Sequence, residues 1–590
     1  MKYRLNNSED KDYEDIGIMD MFRKFLPLLK NEKLAITGAL CATLINSGLN
    51  LLAPVLIGHA VDTYIVTKSY PGVLQTCGIL LACYLGALLA GYIQTRVMGG
   101  VGQRVLLKLR NGIFMKLQEL PVAFFNQNKA GDLISRINND TDKLNQFFSQ
   151  ALMQFMGNAF VILGAGIFLI ALHPTLGGAA LMPALVLLII TRLISPWIKL
   201  QNTKNLQTTG GLSANIQESL ENFKVIVAFN RRDYFRDRLR DVNENNYRSG
   251  VLAGVANTVF TPLYGFSSTV AQLIVLGYGT YLITAGSFTL GLMISYLSYV
   301  NRFYDPLRQI ASVWSSFQLA LASWERVSGI LSMESDIKIL PSSLSSPSSA
   351  VVPLLSFHNV RFGYPDGKEV LHNVNLSLEA GKTYALVGPT GGGKTTTASL
   401  MARLYDPTEG TVMFHGADLR SYPLAERTKK IGFILQEPFL FTGTVRDNIL
   451  YGHEEYRNIT NDELVAVLQS SGLHTLIERF EQGLATPVSS SKDATSLGQR
   501  QLIAFIRAAL RKPELLILDE ATANIDTVTE QLLQEILEKL PKETTRVIIA
   551  HRLNTIENAD EIYFVNEGEV KRAGSLNDAV NMLMHGKRKS

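Results

Sequence analysis

Six apolar stretches fall before about residue 303 of this chain, and the remainder carries none of that length. A helix that crosses the hydrocarbon of a bilayer needs about 20 mostly apolar residues. The candidates run near Leu34–Ile57, Val73–Ile93, Ala151–Leu172, Leu176–Ile194, Leu252–Leu276 and Leu290–Val300. The last is short and is expected to run on past Phe303. Polar residues inside the six are few, chiefly Asn46, Asn50, Gln154, Asn158, Arg192, Asn257 and Gln272. The first half of the chain is therefore expected to sit in lipid as a helical domain.

The chain is 590 residues long, too many for one compact core. Its charged fraction of 18% is below the roughly 25% of a soluble protein, which fits a part buried in membrane. The net charge of +4 comes without a long basic run, which argues against a nucleic-acid partner. Cys41, Cys77 and Cys83 all lie in apolar stretches and read as small buried residues; their spacing suits neither a disulfide framework nor a metal. Met1 to Ile18 mixes charged and polar groups and lacks the apolar core of a signal peptide, so the first span is expected to direct insertion. From Met19 to Lys30, Phe22, Phe25, Leu26 and Leu29 recur at helical spacing beside Arg23, Lys24 and Lys30, as in a helix lying at the membrane surface and bent or ended at Pro27, with an ordinary cytoplasmic segment as the alternative.

Loop lengths alternate. Gly58 to Gly72, His173 to Thr175 and the region of Thr284–Phe288 are short, whereas Gln94 to Gln150 and Ser195 to Gly250 are long and hold most of the Lys and Arg of the chain's apolar half. The positive-inside rule then puts both long segments and both termini in the cytoplasm. Leu106, Leu109, Ile113, Phe114 and Leu117 continue a helical pattern, so both segments are expected to be spanning helices prolonged beyond the lipid. A Ser/Pro-rich stretch within Ser335–Pro353 has the composition of a linker. The expected division is a polar segment over 1–18, a membrane domain over 19–333, a linker over 334–353 and a soluble domain over 354–590.

Beyond Leu354, short apolar runs alternate with helical patterns, the signature of an α/β domain. The strand-like Tyr384–Val387 leads into Gly388-Pro389-Thr390-Gly391-Gly392-Gly393-Lys394-Thr395 and then a helical run from Thr396. This is a phosphate-binding loop in its strand–loop–helix setting: glycines let backbone N–H groups approach phosphates, and the helix N-terminus adds its dipole. Lys394 would neutralise the β- and γ-phosphates and Thr395 would ligate Mg²⁺. Leu515-Leu516-Ile517-Leu518-Asp519-Glu520 is a second strand ending in two acids. Asp519 would hold Mg²⁺ through water, and Glu520 would polarise the attacking water. His551, after the strand Val547–Ala550, suits a contact to the γ-phosphate.

Between these elements lies Thr495-Ser496-Leu497-Gly498-Gln499-Arg500-Gln501, which resembles the LSGGQ-like signature of ATP-binding cassette (ABC) ATPases. The resemblance implies that Ser496, Gly498 and Gln499 close over a nucleotide held by another subunit. It also makes Tyr364 the aromatic that stacks on adenine, Gln436 the residue that reaches Mg²⁺ and the attacking water, and Asp526 a contact across the dimer. In the first half, Leu117–Pro121, Phe124-Phe125 and Gly131–Asp140 resemble the first intracellular loop of ABC exporters, and Gln217–Ser219 and Val225–Phe229 the second. The implied architecture is an α-helical transmembrane domain fused to an α/β P-loop ATPase. The implied cofactors are ATP and Mg²⁺, and the implied activity is export by alternating access across a membrane, taken to be a bacterial plasma membrane.

The chain departs from the family pattern in one region. Thr495 stands where the signature has Leu, Leu497 where it has its first Gly, and Val488–Asp493 where exporters carry a Gly-Glu-Arg-Gly run. These elements act across the dimer, while Lys394, Asp519, Glu520 and His551 are intact. A second, different half-transporter is therefore the favoured partner, with a homodimer as the alternative. The few charges in the spans point to a hydrophobic or amphipathic substrate, drug or lipid, with Gln154, Asn158, Gln272, Tyr296, Tyr299 and Phe303 as candidate lining residues. Lipid flipping and peptide export share the same machinery, and a nontransporting ABC regulator is the remaining alternative.

Overall fold

A computed structural model describes residues 3–5, 30–335, 337, 339–340, 352–364, 367–489, 495–519, 527–549 and 558–585. The amphipathic stretch Met19–Leu29 and most of the Ser/Pro-rich linker lie outside the described residues. The chain forms two compact units. One comprises Asn6–Leu117 and Gly131–Ser332; the other comprises Met1–Leu5, Gln118–Ala130 and Met333–Ser590.

The first unit is helical. Its main helices are α1 (Lys33–Ala60), α2 (Tyr70–Glu119), α4 (Leu152–Leu172), α5 (Pro174–Glu221), α7 (Arg232–Thr258), α8 (Phe260–Thr284) and α9 (Leu290–Leu331). Two short helices, α3 (Val122–Gln127) and α6 (Phe223–Ala228), occupy the tips of the two long loops. At 1.5 Å per residue α2 and α5 are roughly 70–75 Å long, more than twice the thickness of the hydrocarbon, so the spans do continue as helix well beyond it. Short turns join their other ends. His173 caps α5, its Nδ1 accepting from the Leu176 N–H at 3.3 Å with Pro174 at the first helical position.

Among the described residues, five helical stretches are long and apolar enough to cross a membrane: Lys33–Ile65, Tyr70–Glu119, Ala130–Leu172, Pro174–Glu221 and Arg232–Thr284. The sixth expected span is different. α9 has 42 residues, but Asn301, Arg302, Asp305, Arg308 and Gln309 interrupt its apolar run. It packs against α1, α4 and α8. Tyr296, Tyr299 and Tyr304 are buried on this side, and their hydroxyls donate to backbone carbonyls of Leu169, Leu51 and Ala180. Without water in lipid, a phenol must find such an internal acceptor. Tyr296 and Tyr299 are thus core residues rather than cavity lining. Nor are the cysteines buried: Cys41 and Cys77 are exposed and Cys83 half-buried, because helices in lipid can turn apolar residues outward.

Two further contacts organise this unit. Asp62, just past α1, accepts from the Gly291 N–H at 2.8 Å and from the Thr289 hydroxyl, capping the start of α9. A Cβ on Gly291 would lie 2.1 Å from the Gly58 carbonyl oxygen, so this crossing requires glycine. Near the other end of α9, Arg326 pairs with Asp132 at 2.8 Å and Asp140 at 3.1 Å, while Arg136 donates to Asp132 at 2.8 Å and to the Arg326 carbonyl at 2.9 Å. Arg136 and Asp140 are almost wholly buried.

The second unit is an α/β domain. A six-stranded sheet runs in the order β12-β11-β3-β10-β9-β6, from β3 (Thr383–Val387), β6 (Ile431–Ile434), β9 (Leu515–Asp519), β10 (Thr545–Ile549), β11 (Glu561–Asn566) and β12 (Glu569–Ala573). Its strands are parallel except at β12. β3 and β9 are apolar along nearly their whole length, as expected of strands covered on both faces. A second, antiparallel sheet has the order β2-β1-β4-β5, from β1 (Leu355–Gly363), β2 (Glu369–Leu378), β4 (Glu409–Phe414) and β5 (Ala417–Asp418). α3 belongs to this unit: Asn126 Nδ2 donates to the Tyr405 hydroxyl at 2.6 Å. The loop residues grouped with this unit are 118–130, while Gly131–Asp140 stays with the helical one.

Candidate nucleotide site

Parallel register brings the ends of four strands to one edge. Ile549 pairs with both Leu386 and Asp519, and Ile434 pairs with Leu518. Gly388 follows β3, Gln436 follows β6 by two residues, and Asp519 ends β9. In open α/β sheets, ligands bind outside these carboxyl ends.

The loop after β3 is built by its glycines. Gly388 has φ +149, and a Cβ there would meet the Val565 carbonyl oxygen at 2.0 Å. Gly393 has φ +111 and starts α10 (Lys394–Met401) from a left-handed conformation. The Gly568 N–H donates to the Gly392 carbonyl at 3.1 Å, tying the loop to the turn between β11 and β12. Buried Lys394 lies back along the loop, its Nζ donating to the carbonyls of Gly388 at 2.7 Å and Pro389 at 3.0 Å. Thr395 Oγ1 donates to Asp519 Oδ1 at 3.3 Å. Thr396 Oγ1 lies 3.1 Å from the Tyr364 hydroxyl, and the Tyr364 ring stands edge-on to Phe362 and Tyr405.

The structure thus brings together Lys394, Thr395, Thr396, Asp519 and Tyr364, all singled out in the sequence. Thr395 and Asp519 supply a hydroxyl and a carboxylate, hard oxygen donors of the kind that Mg²⁺ uses alongside phosphate and water. Glu520, Asp526 and His551 lie outside the described residues.

The signature-like segment starts α11 (Leu497–Ala509). Ser496 and Gln499 cap that helix reciprocally: Ser496 Oγ accepts from the Gln499 N–H and Gln499 Oε1 accepts from the Ser496 N–H, each at 3.2 Å. The Ser-x-x-Gln spacing carries this capping box in the sequence, where it is easily read only as signature. The first two helical amides, of Leu497 and Gly498, have no acceptor in the turn before them, as at every helix start.

α11 is fastened by residues that sequence reasoning did not single out. Arg507 donates to the Asn448 carbonyl at 2.7 Å and its side-chain oxygen at 3.1 Å, and lies 5.5 Å over the Tyr451 ring. His453 Nε2 lies 2.9 Å from the Arg507 carbonyl, and burial pushes the His453 imidazole below its usual range. Phe439, Phe441 and Tyr451 form an exposed aromatic patch on the same loop system.

Comparison with known proteins agrees with this geometry. Residues 36–307 match the ABC transporter transmembrane region, and residues 371–523 match the ABC transporter family. A fatty acid ABC transporter ATP-binding/permease protein of Mycobacterium bovis is 31% identical over 529 residues, covering 90% of this chain and 81% of the relative. An ATP-dependent lipid A-core flippase of Pasteurella multocida is 31% identical over 600 residues, covering 97% and 99%. A multidrug resistance ABC transporter ATP-binding and permease protein of Lactococcus lactis is 30% identical over 508 residues, covering 85% and 84%. The chain therefore belongs to the ABC transporter family, as an exporter half that joins a membrane domain to its ATPase. Its ATP hydrolysis is coupled to transport across a membrane.

Proposed function

We propose that this chain exports a hydrophobic or amphipathic substrate, drug or lipid, as one half of a dimer with a different half-transporter. The observation that carries the catalytic part is the meeting of the Lys394 loop, Thr395 and Asp519 on one sheet edge within a single chain. Lys394 neutralises the β- and γ-phosphates, and the loop's amides cradle them. Thr395, Asp519 and Gln436 are the residues that would hold Mg²⁺, which would neutralise phosphate charge when bound. Tyr364 stacks on adenine, Glu520 orients the attacking water, and His551 contacts the γ-phosphate. Asp526, Ser496, Gly498 and Gln499 act across the dimer. Both termini lie in the cytoplasm.

The dimer reading rests on surfaces that one chain leaves uncovered. At the tip of the second long loop, Phe223, Val225 and Phe229 are more than half exposed. That loop carries basic residues and lies outside the lipid in the positive-inside reading, so burial against another protein would remove it from water. The aromatic patch of Phe439, Phe441 and Tyr451 is a second apolar surface that one chain leaves in water. The altered signature makes a different partner the better fit: Leu497 places a side chain at the first helical position, where the family has glycine and a phosphate must approach. In this reading the strong ATP site combines this chain's Lys394 and Glu520 with the partner's signature. ATP favours the closed state because its full set of contacts exists only there. Purifying the chain alone and with a co-expressed candidate partner tests this. The pair should show transport-coupled ATPase well above the chain alone; equal, robust activity of the lone chain would overturn the heterodimer.

A further inference from the structure

Helix α9 has two chemically opposite faces. One carries buried Tyr296, Tyr299, Val300 and Tyr304. The helical period turns Asn301, Arg302, Asp305, Arg308 and Gln309 to the other side. Asn301, Asp305 and Arg308 are exposed and Arg302 is half-buried. The Thr289 cap marks the start of α9 beside the short loops. At 1.5 Å per residue, Asn301 and Arg302 lie about 18 Å along the helix and Arg308 about 28 Å, within the roughly 30 Å of hydrocarbon.

Independent helices bring amides to the same two levels. Gln272 on α8 donates to Asn301 Oδ1 at 2.6 Å, and Gln154 on α4 donates to Gln309 Oε1 at 3.4 Å. Arg302, Asp305 and Arg308 have no hydrogen-bond or ion-pair partner among the described residues. Ionised groups at this depth are costly against lipid tails, so they face a water-filled cavity or a bound ligand. Two guanidiniums against one carboxylate leave this face with a net positive charge, and a guanidinium matches the planar oxygens of a carboxylate or phosphate.

We propose that this face of α9 binds the oxyanion head group of an acyl-chain amphiphile, with Arg302 and Arg308 as its counter-charges and the Gln272–Asn301 pair beside them. The inference rests on the exporter reading and narrows its substrate class. The tail needs only apolar helix surface, which α4 and α8 expose at Leu163 and Leu273. Asp305 opposes the anion and sets an upper limit on how tightly it is held, which suits a ligand that must be released.

The test is equilibrium binding of radiolabelled oleate to the full-length chain in nanodiscs, by scintillation proximity. Unlabelled oleate and dodecyl phosphate compete if the proposal holds, and their relative strength tells carboxylate from phosphate as the preferred head group. Dodecyltrimethylammonium and monooleoylglycerol compete at least about tenfold more weakly. Arg302→Gln and Arg308→Gln each raise the half-saturating concentration about tenfold, the loss of one charge-assisted hydrogen bond. Arg302→Lys keeps part of the affinity, and Asp305→Asn tightens binding. Equal competition by the cationic or neutral amphiphile overturns the proposal. So does weaker binding in Asp305→Asn, which would mark Asp305 as an ion-pair partner of the arginines across a dimer. ATP turnover of the parent is measured on the same preparation: turnover without anion selectivity sinks this inference alone, whereas absence of turnover with any partner counts against the exporter reading.

Discussion

The Thr395 hydroxyl lies 3.3 Å from the Asp519 carboxylate, joining the first residues of α10 to the end of β9. The two come from positions more than a hundred residues apart, and only the parallel register of β3, β10 and β9 sets them side by side. A hydroxyl and a carboxylate at this separation are oxygen donors of the kind that would hold Mg²⁺ beside a nucleotide. Asp519→Asn should therefore raise the Mg²⁺ concentration for half-maximal ATPase by about ten- to hundredfold, the range seen when a group supporting a metal is lost. A Mg²⁺ titration of turnover at saturating ATP checks this; an unchanged midpoint would place the metal elsewhere.

The signature departure makes a second prediction. Leu497→Gly removes a side chain from the start of α11 without touching the Ser496–Gln499 capping box. Turnover of the chain purified alone should rise several-fold, because its own signature would then admit a phosphate. If turnover stays flat while the melting temperature is unchanged, Leu497 is not what weakens that site.

The Arg326–Asp132–Asp140 cluster predicts a stability effect at the loop end of α9. Asp140 is 1% exposed, and Arg326 is its partner at 3.1 Å. Arg326→Ala should destabilise the chain by about 1–3 kcal/mol, the cost of taking one partner from a buried carboxylate that keeps Lys143 at 3.3 Å. Adding Asp140→Asn to that variant should recover part of the loss. Thermal melts of the four chains in detergent give the cycle, and strict additivity would show that the pair is not coupled.

Stability should also fall with pH through His453. Burial lowers the imidazole's folded-state pKa beneath its ordinary value near 6.5. The unfolded chain then takes up the proton first. The contribution is present in full above about pH 6.5 and is lost as pH falls towards the folded-state pKa. His453→Gln, which keeps a donor for the Arg507 carbonyl, should flatten the loss of melting temperature between pH 7.5 and 5.5. A slope identical to the parent's would assign that loss to other groups.

The phosphate loop was legible because its glycines and Lys394 lie in one short run between a strand and a helix, so local sequence carries the site. Asp519 was legible as an acid ending an apolar strand. The sixth span was read less well. Its apolar run ends at Val300, and a reading by hydropathy gives few charges in the spans; Arg302, Asp305 and Arg308 lie beyond that limit. Continuing the 3.6-residue period past Val300 finds them. Tyr296 and Tyr299 look like cavity aromatics in sequence, yet the carbonyls of Leu169 and Leu51 that hold their hydroxyls come from other helices. Such partners follow from packing and have no local signal. The same is true of Arg507 and Asn448, 59 positions apart.

In the proposed cycle, ATP hydrolysis in this chain's cassette moves an amphiphile across a bilayer. Its most direct measurement is uptake of a labelled amphiphile into inside-out vesicles, with and without ATP, for the parent and Glu520→Gln in the same dimer. ATP-dependent accumulation is expected in the parent, with a fall of at least about a hundredfold in Glu520→Gln, as for loss of a group that orients the attacking water. Accumulation that continues in Glu520→Gln at the parental rate, or in the parent without ATP, would contradict it.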